Sequence, residues 1–219
     1  MTNPAEKPEW QEVLDFWFPE RRNPDFDAAA HRDYWIWRMR GGADEAIIAR
    51  FSDETEKAAR GELDHWSRDP QGRLALIIAL DQFPRSLWRD TPRAFAQDGK
   101  ALAFSTEGFS NGHYDALENP WEKTIYIIPL AHCEGPDHLA RVEHAIRLAR
   151  DIEAAAPAFL KDAYAFAAQQ PVEVHKVIAA FGRHPHRNAV LGRVSTPEEE
   201  DYVAAGRFPH LREIPETRE

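Results

Sequence analysis

Residues Val174–Arg193, VHKVIAAFGRHPHRNAVLGR, combine one face of a helix, a helix end and a turn rich in basic side chains. The apolar residues of the first half recur at the spacing of an α-helical face, at Val174, Val177, Ile178 and Phe181. Gly182 favours the left-handed conformation that ends a helix, and Pro185 prevents the next turn from continuing it. The stretch therefore predicts a helix followed by a sharp turn that holds arginines and histidines together.

Similar signals along the rest of the chain predict an all-α fold. A second amphipathic helix is marked by Leu139, Val142, Ile146 and Ala149. Asp53 with Glu56, and Thr196 with Glu199, have the spacing of a capping box at a helix start. Glycine is scarce, and the alternation typical of strands is hard to find.

A proline turn, a basic loop and a Thr-Pro helix start occur twice in this order. Pro84–Arg85 precedes Thr91–Pro92, and Pro185–Arg187 precedes Thr196–Pro197. This echo favours helical hairpins, although the consensus of TPR repeats is absent. We predict a helical-hairpin array in a single compact domain over residues 1–219, with frayed ends at about 1–8 and 210–219.

Composition limits the classes of partner. The net charge of −10 argues against a general nucleic-acid binder, which must neutralise phosphates. Cys133 is the only cysteine, the N-terminus lacks a signal pattern, and the longest apolar run, Leu74–Leu80, is far below the roughly 20 residues of a membrane span. We expect a cytoplasmic protein without nucleic-acid or membrane partners.

Two carboxylates fall on apolar helix faces. Asp81 shares a face with Leu74, Ile77 and Ile78, and Asp98 lies within the apolar stripe of the next predicted helix. A buried carboxylate has to be paired or protonated, so both acids should be buried against arginine. Either these pairs only fasten helices together, or Asp81 and Asp98 orient arginines whose remaining donors face a ligand.

The candidate ligand-binding residues are Arg85, Arg93, Arg183, Arg187, Asn188 and Arg193. With six basic side chains counted against two acids (Arg89 included), we expect surplus positive charge that a small anion would neutralise. The candidates for proton transfer are His132, Glu134, His175 and His186, since imidazole and carboxylate are common proton shuttles. We predict no metal and no cofactor, because the usual ligand spacings and nucleotide-binding loops are absent.

Two segments, Leu80–Asp98 and Phe181–Arg193, resemble the bacterial family called domain of unknown function 924, which is grouped with the TPR-like helical superfamily. The resemblance extends from about Glu12 to Tyr202 and includes Pro129, His132 and Glu134. It implies a TPR-like helical fold and supplies no reaction.

Two functions are compatible with these patterns. The first is a small-molecule-binding protein, or a metal-independent hydrolase or lyase, acting on a small anionic compound in an inter-helical pocket lined by arginine and histidine. The alternative is a TPR-like protein-interaction module without catalytic activity, in which the same motifs lock helices and a protein partner docks in an open groove. A closed pocket would favour the first and a long concave groove the second.

Overall fold

The computed structural model describes residues 7–214, and within this range the chain is all-α with no β-strand, which confirms the predicted fold class. The α-helices are α1 (Gln11–Trp17), α2 (Ala28–Met39), α3 (Asp44–Arg60), α4 (Pro70–Ile77), α5 (Phe83–Leu87), α6 (Asp98–Ser110), α7 (Pro120–His132), α8 (His138–Ala155), α9 (Lys161–Phe181) and α10 (Pro197–Ala205). Short 3₁₀ turns join several of them, among them Pro92–Phe95, Pro185–Arg187 and Pro209–Leu211.

The centre of the molecule is α4 and the turn that follows it. Every residue from Leu74 to Leu80 is completely buried. Aromatic rings from α1, α3 and α5 pack beside this segment, with ring centroids 4.9 Å apart for Phe16 and Phe51 and 5.1 Å apart for Phe51 and Phe83. The aromatic composition of the chain is thus used mainly to fill one core.

Consecutive helices are neighbours in the second half of the chain. Helix α7 packs between α6 and α8, and α8 lies along α9. Val142 of α8 and Val174 and Ile178 of α9 form a buried cluster at the last of these contacts. This succession is the array of helical hairpins expected from the sequence.

The predicted helix signals were mostly correct. Gly182 ends α9 with φ of 70°, and Thr196 and Glu199 form the full capping box at the start of α10. The capping box expected at Asp53 is wrong, because α3 begins at Asp44 and Asp53 lies in its interior. Thr91 opens a 3₁₀ turn and not an α-helix.

A π-helical turn, Ile78–Gln82, separates α4 from α5. Its cause is Pro84, which has no N–H to donate and whose ring would clash with the carbonyl of Leu80 in a regular helix. The Phe83 amide donates instead to the carbonyl of Ile78, five residues earlier. Within the same turn, the side chain of Arg85 donates a hydrogen bond to the carbonyl of Asp81.

The expected frayed ends fall partly outside the described residues, at 1–6 and 215–219. Residues 210–214 of the expected C-terminal end lie within the described part. Pro209–Leu211 form a 3₁₀ turn, and the guanidinium of Arg40 donates to the backbone carbonyls of His210 and Arg212. No helix between residues 7 and 214 is long and apolar enough to cross a membrane.

Candidate functional site

The centre of the candidate site is a carboxylate–imidazole pair. Asp81 comes from the π-helical turn and is completely buried, and His132 is the last residue of α7. Nδ1 of His132 lies 3.0 Å from both carboxylate oxygens of Asp81, and the side-chain amide of Gln82 also donates to this carboxylate. Within residues 7–214, Nε2 of His132 has no hydrogen-bond partner.

The protonation states of the pair follow from its surroundings. Burial works against ionisation of Asp81, but Arg85 and His132 outweigh it and hold the pKa of the carboxyl below its usual range. Burial and the nearby Arg85 lower the pKa of His132 despite the attraction of Asp81. At neutral pH Asp81 is therefore ionised and His132 neutral, so Nδ1–H donates to Asp81 and Nε2 carries the lone pair.

Asp98, at the start of α6, is the second buried carboxylate and joins two arginines. Arg85 Nη2 donates to its two oxygens at 3.0 and 3.1 Å, and Arg187 Nη1 donates to Oδ2 at 3.1 Å. The same Nη1 of Arg187 donates to the carbonyl of His132 at 2.9 Å. Arg85 also lies 3.6 Å from Asp81. As predicted, both acids are buried against arginine.

Two adjoining cavities border this network. The larger, of about 470 Å³, is lined by Arg38, Arg85, Arg89, Arg187, His132 and His186 among others. The smaller, of about 180 Å³, has mainly apolar walls contributed by α2, α7, α8 and α9. Gln82, His132 and His210 line both cavities, so the imidazole of His132 stands where the two cavities meet.

Arginine side chains line the larger cavity, whereas two of the carboxylates paired with them do not. Asp81 and Asp98 do not line it, whereas Arg85 and Arg187 do. The carboxylates that do line it are Asp44, which pairs with Arg89, and Asp90. The part of the cavity beside His132 therefore presents guanidinium and imidazole groups.

Three further imidazoles lie next to each other beside Arg187. The ring of His186 is 5.4 Å from that of His184 and 5.1 Å from that of His210. Burial and the charge of Arg187 lower the pKa of His186 to about 3, and burial with the proximity of His132 lowers that of His210 to about 4. These imidazoles are neutral at physiological pH.

The remaining predicted residues of the basic turn are held by other acids. Glu134 accepts from Arg193 and, at 2.8 Å, from the backbone amide of His184. Arg183 donates to Glu199 twice at 2.6 Å, and Asn188 donates to the same carboxylate at 3.1 Å. The expected surplus of positive charge in this turn is wrong, because Glu134 and Glu199 were left out of the count.

Four other assignments need correction. Arg93 is away from both cavities, paired with Glu56 at 2.7 Å and exposed. His175 lies outside them as well, 3.6 Å from Glu143. Arg187, a candidate ligand-binding residue, is only 4 % exposed and is fixed by Asp98. Glu134 lines neither cavity, which removes the support for its role in proton transfer.

Sequence reasoning missed several lining residues. Gln82 adjoins Asp81 in the sequence and could have been found from that position. Arg40, His210 and Arg212 carried no local signal, since Arg40 meets His210 across 170 positions of sequence.

The chemistry available is proton transfer by His132. Ser86 lines the larger cavity, but its hydroxyl donates to Asp44 at 2.6 Å. Cys133 lines neither cavity, and burial raises the pKa of its thiol. No three His, Cys, Asp or Glu side chains in the described part of the chain come together to hold a metal ion.

Fold and site thus define an all-α protein with a buried carboxylate–imidazole pair on an inter-helical cavity. Residues 13–207 match the family model described as bacterial protein of unknown function (DUF924), and the chain belongs to this family. Its fold is similar to the solved structure of a protein of unknown function from Agrobacterium tumefaciens, with a TM-score of 0.66 and 29 % identity over 90 % of this chain and 97 % of the other. No curated protein matches the sequence.

Proposed function

We propose that this protein is an enzyme acting on a small anionic molecule, with His132 as general base and Asp81 as the group that orients it. The observation that carries the proposal is the state of His132. One nitrogen is fixed on an ionised, fully buried carboxylate, and the other carries a lone pair without a described partner, in a ring that lines two cavities. Such an imidazole can accept a proton at neutral pH.

The reaction class is a hydrolysis or an elimination that begins with removal of a proton by Nε2 of His132. In a hydrolase the proton comes from water, and in a lyase it comes from the substrate. Asp81 stabilises the imidazolium that forms, because its carboxylate is already ionised and accepts a hydrogen bond from Nδ1–H of His132, with 3.0 Å between Nδ1 and Oδ1.

An anionic substrate is supported by the groups beside His132. Arg85 lines the larger cavity, and its carboxylate partners Asp81 and Asp98 do not. The two cavities lie between helices, as binding sites for small molecules often do. A TPR-like interaction module would instead need an open concave groove for its protein partner.

The first test measures the tautomer of His132 by ¹⁵N NMR on histidine-labelled protein at pH 7. We expect a protonated Nδ1 and an unprotonated Nε2. The reverse tautomer, or an imidazolium at pH 7, would overturn the proposed role without any knowledge of the substrate.

The second test screens small esters, amides and hydroxy acids for turnover by ¹H NMR. His132→Asn retains an N–H that can reach Asp81 and removes the base, so kcat should fall by at least about 100-fold, the usual contribution of a general base. His175→Asn is the matched control and should behave as the wild type. Equal activity in a folded His132→Asn variant would contradict the proposal.

A further inference from the structure

We propose that the smaller cavity binds the body of the substrate, and that the substrate is a carboxylate carrying one aromatic ring or a branched aliphatic group of similar size. The reaction at His132 rests on the function proposed above, but the binding part of this inference does not. Three features of the cavity support it: its size, its mainly apolar wall and the two arginines that line it.

The cavity has the size of one ring. Its volume of about 180 Å³ is slightly above the roughly 150 Å³ of an apolar protein cavity that binds benzene. The wall consists of aromatic and aliphatic side chains, among them Trp35, Ile127, Ile128, Ile152, Tyr164 and Phe166. Of the described residues, no Asp or Glu lines it. A compact apolar group fits this wall and a phosphate or a sugar does not.

Two guanidinium groups line the same cavity without a carboxylate partner among residues 7–214, namely those of Arg40 and Arg212. Arg40 is exposed and donates to two backbone carbonyls, which fix its position. Arg212 lies with its guanidinium carbon 4.3 Å from the centre of the Phe166 ring. Arginine with spare donors is well suited to bind a carboxylate, which would supply the missing counter-charge.

The polar residues that line the cavity also indicate which bond of the ligand would react. Gln82 and His132 line the smaller cavity together with Arg40, so a carboxylate held by Arg40 brings the adjoining atoms of the ligand to the His132 side. The bond that reacts should therefore lie close to the carboxylate, near His132, and not at the far end of the apolar group.

The binding test uses isothermal titration calorimetry on the full chain with phenylacetate, phenylacetamide and acetate as probes. Phenylacetate should bind at least about tenfold more tightly than acetate, since the cavity removes the apolar surface of the ring from water. It should also bind at least about tenfold more tightly than phenylacetamide, because arginine forms stronger hydrogen bonds with a charged carboxylate than with a neutral amide. Equal affinity for acetate and phenylacetate would overturn the inference.

Variants locate the site. Ala149 lines the smaller cavity and is buried, so Ala149→Leu should fill it and weaken phenylacetate binding at least tenfold. Ala154→Leu, on an exposed position of the same helix, should leave binding unchanged. Arg40→Met should lose the preference for phenylacetate over phenylacetamide while still binding the amide. Binding that persists in Ala149→Leu, or a preference that persists in Arg40→Met, contradicts the proposed position.

The outcome separates the two proposals. Selective phenylacetate binding that also occurs in His132→Asn supports the subsite whether or not His132 is a base. Turnover of substrates that lack an apolar group, combined with no phenylacetate binding, would refute the subsite and leave the proposed reaction standing.

Discussion

Replacing Arg187 by methionine should destabilise the protein far more than the same replacement at Arg93. Arg187 is 4 % exposed and donates to Asp98 at 3.1 Å and to the carbonyl of His132 at 2.9 Å. Methionine keeps an unbranched chain but removes the charge and both hydrogen bonds. Breaking a buried ion pair costs about 3–5 kcal/mol, because the remaining carboxylate stays buried with less compensation.

Arg93 is the matched control, because it also pairs with a carboxylate but at the surface. Its ion pair with Glu56 is shorter than that of Arg187 with Asp98. Arg93 Nη2 lies 2.7 Å from Glu56, but the arginine side chain is 55 % exposed. Exposed pairs contribute only about 0–1 kcal/mol, since water solvates both partners when the pair is broken. Distance alone would rank the two variants in the opposite order, so the comparison isolates the effect of burial.

The assay is urea denaturation of both variants followed by far-ultraviolet circular dichroism, with thermal melts alongside. At roughly 2–4 °C per kcal/mol for a chain of this size, Arg187→Met should lower Tm by roughly 6–20 °C and Arg93→Met by at most roughly 4 °C. If the two variants lose similar stability, or if Arg187→Met costs less than about 1 kcal/mol, then Arg187 is not part of a buried network and the reasoning is refuted.

Three further predictions concern other buried groups. Asp81→Ala should lower the free energy of unfolding by about 3–5 kcal/mol in the same assay, because Arg85 loses one of its two carboxylate partners and His132 loses its hydrogen-bond acceptor. An unfolding midpoint equal to that of the wild type would contradict this prediction. The pKa of His186 is about 3 in the folded protein and near 6.5 when unfolded, so the unfolded state binds the proton first as the pH falls. Stability should therefore decline below pH 6.5, by at most about 1.4 kcal/mol per pH unit for this residue, and His186→Phe should reduce that slope between pH 4 and 6.5; an unchanged slope would show that His186 titrates normally. Burial raises the pKa of Cys133, so Ellman's reagent should react with the native protein at least about tenfold more slowly than with the urea-unfolded chain at pH 7.5; equal rates would place the thiol at the surface.

The sequence was sufficient for the helical fold and for the position of the two key acids. Apolar spacing identified the helix that ends at Gly182, and the same spacing identified Asp81 as a carboxylate on a buried face. These features are local, because each is visible within two or three turns of one helix.

The partners of these groups could not be predicted, because they come from distant parts of the chain. His132 reaches Asp81 across 51 positions of sequence. Charge counting within the basic turn failed for the same reason, since Glu134 lies 59 positions from Arg193. Arg40 and Arg212, which line the smaller cavity, carry charges that look like ordinary surface charges in the sequence.

The π-helical turn at Ile78–Gln82 sets the direction of the side chains in the helix that follows it. One additional residue in a turn rotates the next side chains by about 100° relative to a regular helix. Because of this rotation, Phe83 enters the aromatic core while Arg85 reaches both Asp81 and Asp98. The pairing of Arg85 with Asp98 is thus linked to Pro84, and substitution of this proline would allow the helix to rewind and change the direction of Arg85 relative to Asp98, although Asp81, four residues earlier, would remain its neighbour.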